Sequence, residues 1–225
     1  MDVDVDHHIN AASRTVGART LEAGEARVVT ISRTYNEPIE DVWDALTNIE
    51  RIPRWFLPIT GELHLGGHFQ LEGNAGGVVE RCEPPRAFDA TWEFAGGVSW
   101  IEARLAEEGD ATRFTLTHIA KVDDETWDQF GPAATGIGWD GAVLGLSLHL
   151  ATGAANDPAE AMAWSMTEQG IGFNRQSGER WHKADVAAGN DPKVARERAD
   201  RATTAYTDFG EASEISRRRR PGCAG

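Results

Sequence analysis

His118 and Glu102 are the residues of this sequence best placed to do chemistry, because each falls among apolar neighbours. His118 belongs to an alternating run, Phe114, Leu116, His118 and Ala120, so one strand face would carry an imidazole between apolar side chains. Such an imidazole can hydrogen-bond a ligand or shuttle a proton near neutral pH. The plainer reading is a buried histidine satisfied by a backbone carbonyl or a water. Glu102 shares a face with Trp100, whereas Ile101, Ala103 and Leu105 take the other. Spacing alone leaves open which face points inward. If Trp100 does, Glu102 follows, and a carboxylate in a dry pocket is a candidate acid or base.

Other polar groups carry less. His64 and His68 are four apart with Gly66-Gly67 between them, and no third ligand for a metal is near, so surface histidines are expected. His7-His8 among aspartates read the same way. Glu80, Arg81, Glu83 and Arg86 look like a solvated charge lattice, and the arginines at 217–220 like a solvated tail. Gly145 to His149 lacks the second glycine of a nucleophile elbow and lies in a helical pattern. No phosphate loop or dinucleotide fingerprint occurs, so ATP, GTP and NAD chemistry is not expected, and neither a cofactor nor a metal.

Apolar rings are the stronger signal. The chain has eight tryptophans against two tyrosines. Trp55 and Phe56 fall in an apolar loop, Phe69, Trp92 and Trp100 on strand-like runs, and Trp139 on a helical one, followed at helical spacing by Val143 and Leu146. Apolar walls with few polar groups are what small-molecule pockets need. Ordinary core packing explains large aromatics too, and Trp43 is assigned to core.

These residues need elements to hold them. Arg27 to Thr34 alternates as a strand, Pro38 opens a helix carrying Ile39, Val42, Trp43 and Leu46, and Asn48 to Trp55 reads as a second short helix. From Gly61 to Val122 the pattern is strands separated by turns. Glu62–Leu65 and His68–Leu71 read as one strand bent at the glycines. Val78–Glu83, Ala87–Phe94, Val98–Ala106 and Arg113–Val122 follow, linked too closely for parallel crossovers. Asp123 and Asp124 then cap a helical region running, with a break at Gly131-Pro132, towards Leu150; Trp139, Val143, Leu146 and Leu150 share one stripe. Two more helices start at Asp157-Pro158 and Asp191-Pro192, the last with a stripe of Ala195, Ala199, Ala202, Tyr206 and Phe209. The plan is α+β: an antiparallel sheet wrapped around a long helix, with a C-terminal helical extension.

At 225 residues and a net charge of −14, the chain can bury a full core, and it lacks the basic face that nucleic acid or an anionic membrane demands. Residues 1–25 have no apolar segment of a signal peptide, and no stretch is long enough to insert in a membrane. Two cysteines, Cys82 and Cys223, form no disulfide framework, which points to the cytoplasm.

Three segments together resemble a known superfamily: PIEDVWDALTNIERIPRWF (Pro38–Phe56), GGVVERCEPPRAFDATWEF (Gly76–Phe94), and a late Gly138-Trp139 on the long helix. In that order they are similar to the SRPBCC, or START-like, helix-grip proteins, and within them to bacterial proteins named after the activator of Hsp90 ATPase. The resemblance covers about residues 27–151. It implies a cavity between sheet and helix, used across the superfamily for lipids, sterols, polyketides and aromatic compounds. Activity does not follow from fold.

The expected organisation is a flexible tail over 1–25, a helix-grip domain over 26–152, a helical extension packed on it over 153–210, and a flexible tail over 211–225. The expected ligand is a small hydrophobic or aromatic molecule, held by Trp55, Phe56, Phe69, Trp92, Trp100, His118, Trp139, Val143 and Leu146. Two alternatives stay open: a cyclase- or dehydratase-type enzyme using His118 or Glu102, and a co-chaperone-like interaction module. A homodimer is also left open.

Overall fold

A computed structural model describes residues 3–22 and 24–208 of the chain. The N-terminal segment, expected as a tail, instead forms α1 (Val5–Asn10) and the edge strand β1 (Ala12–Leu21), which pairs antiparallel with β2 (Gly24–Tyr35). Val3 and Ile9 are buried beside Leu144, Trp164 and Phe173. The sequence hides β1 because an edge strand covered on one face needs little apolar patterning, and Ser, Arg, Thr and Gly dominate it.

Next come α2 (Ile39–Thr47), a single 3-10 turn at Ile52–Arg54, then β3 (Ile59–Gly61), β4 (His68–Leu71), β5 (Gly76–Glu83), β6 (Ala87–Phe94), β7 (Gly97–Glu108) and β8 (Ala111–Ala120). Residues 62–65, expected as strand, are not one. The chain doubles back so closely that a β-carbon on Gly61 would lie 2.1 Å from the His68 carbonyl oxygen, and Gly61 itself has φ near 108°. Among the described residues the eight strands form one antiparallel sheet in the order β1-β2-β8-β7-β6-β5-β4-β3.

Pairing of β7 with β8 sets the face that spacing left open. Ile101 lies opposite His118 and Ala103 opposite Leu116, and all four are buried on the concave side with Leu105 and Phe114. Because strand side chains alternate, Trp100 and Glu102 point to the convex side.

Across the concave side runs α4 (Ala133–Thr152), preceded by α3 (Asp124–Phe130), whose N-cap Asp123 accepts from the Thr126 N–H at 2.8 Å. Behind α4 lie α5 (Pro158–Ser165), α6 (Glu168–Ala187) and α7 (Pro192–Thr207); α6 packs on α4 and β1, and α7 on α6, α4 and α3. Two helices were expected after residue 152, and three lie among the described residues. The extra one, α6, contains Gly170, Gly172 and Gly178, which argue locally against a helix. Packing overrides that preference. Trp181 is fully buried against Gly136, where a β-carbon would lie 2.2 Å from the indole. Truncating Trp181 to alanine is expected to cost roughly 3–5 kcal/mol. With the sheet on one side and α6 and α7 on the other, α4 buries Gly136, Asp140 and Leu144 as well as Val143 and Leu146. Phe209, the arginines at 217–220 and Cys223 lie outside the described residues.

Candidate functional site

A pocket of about 110 Å³ lies between α4 and the concave face of the sheet. From α4 it takes Trp139, Ala142, Val143 and Leu146; from the strands, Phe69, Phe88, Ala90, Trp92, Ile101 and Leu116; from α2, Leu46; and from the segment after it, Ile52, Trp55 and Phe56. The rings form a connected series. Trp55 stacks on Phe56 at 5.4 Å, Phe56 on Trp139 at 6.4 Å, and Trp139 meets Trp92 at 5.1 Å, which in turn meets Phe69 at 6.4 Å.

Trp55 and Phe56 form a lid that is held from three sides. The Trp55 indole N–H donates to the Ala45 carbonyl of α2 at 2.8 Å. The Asn156 N–H donates to the Arg54 carbonyl at 2.7 Å, and the Arg54 guanidinium donates to the Gly153 carbonyl at 2.6 Å. Arg51 donates to buried His149 on α4 at 3.1 Å and to the Asp41 carboxylate of α2 at 2.6 Å.

His118 lies behind this wall and does not line the pocket. The Trp139 indole N–H donates to His118 Nδ1 at 3.0 Å, so the ring proton belongs on Nε2, which donates to Ser99 Oγ at 2.8 Å. The Ser99 hydroxyl in turn donates to the Trp92 carbonyl oxygen at 2.9 Å. Burial pulls the imidazole down to about 4, so it is neutral at ordinary pH. Both nitrogens are engaged and Ser99 receives a hydrogen bond from the ring, so neither a proton shuttle nor a serine–histidine pair is assembled. The expected buried histidine is present, satisfied by side chains rather than by a carbonyl or water.

Trp55, Phe56, Phe69, Trp92, Trp139, Val143 and Leu146 all line the pocket. Trp100 and Glu102 do not, because the register turns them to the convex face. There Glu102 is gripped through both oxygens by Arg19, which holds its carboxyl below the usual range. It is an ionised surface group, not a buried acid. His64 is exposed beside Glu62, and among the described residues no three His, Cys, Asp or Glu side chains cluster to hold a metal. Phe88, Ala142, Leu46, Ile52, Ala90, Ile101 and Leu116 are among the lining residues that the sequence did not single out. Phe88 was recoverable, since it shares the phase of Trp92 along β6, whereas Ala142 depends on how α4 is rotated over the sheet.

No curated protein matches the chain. Its fold matches the crystal structure of CalU16 from Micromonospora echinospora with 34% identity and a TM-score of 0.61, over 80% of this chain and 99% of that one. The solution structure of CalU16 agrees, with 35% identity and a TM-score of 0.65 over 79% and 97% of the two chains. EF2215 from Enterococcus faecalis, at 15% identity and a TM-score of 0.55 over 78% and 92%, shares the fold alone. Among the described residues no helix is long and apolar enough to cross a membrane. The model of the activator of Hsp90 ATPase homolog 1-like proteins matches residues 36–148, the span that contains α2, the lid, strands β3 to β8 and most of α4, and the chain belongs to that family within the helix-grip fold.

Proposed function

We propose that this protein binds a small apolar or aromatic molecule in the pocket between α4 and the sheet. The observation that carries the reading is the aromatic series from Trp55 through Phe56, Trp139 and Trp92 to Phe69, which bounds a space rather than closing it. Burying apolar ligand surface there contributes about 25 cal/mol per Å². Association does not need charge, in keeping with a wall that offers none. A reaction on the same frame finds less support, because His118 is locked and Glu102 is on the opposite face.

Native mass spectrometry of the protein as purified, followed by denaturing extraction, tests the reading. A co-purifying small molecule lost in Ala142→Leu, which fills the pocket from α4, supports it. A bare protein whose tryptophan fluorescence is unmoved by a panel of apolar rings overturns it.

A further inference from the structure

Trp55, Trp92 and Trp139 bring three indoles to the pocket wall, and one of their N–H groups is unengaged. Trp55 donates to the Ala45 carbonyl and Trp139 to His118, whereas the Trp92 N–H meets no acceptor among the described residues. Nor is it one of the polar atoms sealed from solvent, so water or a ligand can reach it. Trp92 pairs with Ser99 across β6 and β7, and Ser99 Oγ meets His118, so the indole lies on the concave side. It is flanked there by Trp139 at 5.1 Å and Phe69 at 6.4 Å, and the open space it adjoins is the pocket. The other polar side chains of the wall differ in kind. The Thr47 hydroxyl donates to the Trp43 carbonyl at 2.8 Å, which leaves its oxygen as an acceptor, and the Cys82 thiol is a weak donor. Half-buried Trp92 therefore supplies the strong side-chain donor that a ligand can use.

Resting on the binding function proposed above, we infer that the ligand is an apolar ring bearing a neutral carbonyl oxygen, as in an aryl ketone or a quinone, and that the Trp92 indole N–H donates to that oxygen and orients the ring. A hydrocarbon laid over this N–H strips water from a donor and gives it no acceptor in exchange, which weakens binding. A carbonyl replaces that water, and the bond it accepts offsets part of its own desolvation. A carboxylate is disfavoured, because the wall holds no charged side chain to balance it. The Thr47 oxygen cannot take the place of Trp92, since two acceptors have no proton to share.

Acetophenone and α-methylstyrene differ only in a carbonyl oxygen against a methylene carbon and are the probes. Each is titrated into the full chain while the indole N–H signals of Trp55, Trp92 and Trp139 are followed by NMR. Acetophenone is expected to move the Trp92 signal downfield, as hydrogen bonding moves a proton, and α-methylstyrene is not. Trp92→Phe keeps a ring and removes the N–H. In it the ratio of acetophenone to α-methylstyrene affinity is expected to fall about tenfold, a comparison in which the unequal water affinities of the probes cancel. Should the variant fail to fold, the Trp92 signal of the parent decides. A Trp92 signal moved no further downfield by acetophenone than by α-methylstyrene overturns the inference and leaves the binding function standing. An unchanged ratio in folded Trp92→Phe does the same. Shifts that survive in Ala142→Leu place the ring elsewhere and also overturn it. If neither probe moves an indole signal, the binding function falls and this inference with it.

Discussion

The carbonyl oxygen of Trp55 rests against Gly145 of α4, so closely that a β-carbon at residue 145 would lie 2.4 Å from it. The lid therefore docks on the helix through backbone, at a position where only glycine leaves room. Gly145→Ala must push the lid outward or strain the helix, and is expected to destabilise the fold by about 1–3 kcal/mol. It should also raise the acrylamide quenching of tryptophan fluorescence. An unchanged urea midpoint with unchanged quenching would show that the lid does not depend on this contact.

His118 makes stability depend on pH. Its folded pKa, about 4, lies below the 6.5 of the free side chain, so the unfolded chain binds the extra proton first. Its contribution is fully present above pH 6.5, declines as the pH falls, and is exhausted below 4. A shift of that size corresponds to roughly 3 kcal/mol. His8, also pulled down to about 4 by burial and by Arg33, acts in the same window but is half exposed and counts for less. Urea unfolding at several pH values should give His118→Gln a flatter profile than the parent between 6.5 and 4, and His8→Gln a smaller change.

Asp140 ties three elements together. Its carboxylate meets the Arg14 guanidinium of β1 at 2.5 Å, and accepts from Ser177 Oγ at 2.6 Å and the Trp181 indole at 2.8 Å, both on α6. Asp140→Ala strands a buried guanidinium, at an expected cost of about 3–5 kcal/mol. In hydrogen exchange, β1 and α6 should lose protection together. Arg14→Met with Asp140→Leu should recover only part of the loss, since no charge is then left alone but the Ser177 hydroxyl and the Trp181 indole N–H still lose their acceptor.

Glu102 provides the contrast. Glu102→Gln loosens a surface pair with Arg19 and is expected to cost less than about 1 kcal/mol, with no change in the affinity for an apolar ring. A loss of ring binding in this variant would contradict the outward orientation of its strand face.

The aromatic wall was legible because its residues sit in local patterns: Trp92 in an alternating strand, Trp139 in a helical stripe, Trp55 in an apolar loop. Which of Trp100 and Ile101 turned inward was not, since both faces of β7 carry apolar side chains and the choice is made by pairing with His118 and Ile119 on β8. α6 was hidden for a related reason. Gly178 looks like a helix breaker, yet a β-carbon there would lie 2.0 Å from Thr203 Oγ1, so the glycine serves the contact with α7. Residues chosen for partners far along the chain weaken the very patterns that announce an element.

The position of β2 between β1 and β8 has a consequence for how the protein is made. The hairpin of β1 and β2 can close as soon as both have been synthesised, but the other edge of β2 stays unpaired until Ala111–Ala120 has emerged from the ribosome. Such an edge invites pairing with other chains. Contacts between segments so distant also form slowly, because the intervening loop must be closed first. The nascent chain is thus most exposed to aggregation during synthesis of the residues that will form its own pocket, and arrest of translation between Tyr35 and Ala111 would leave the edge open.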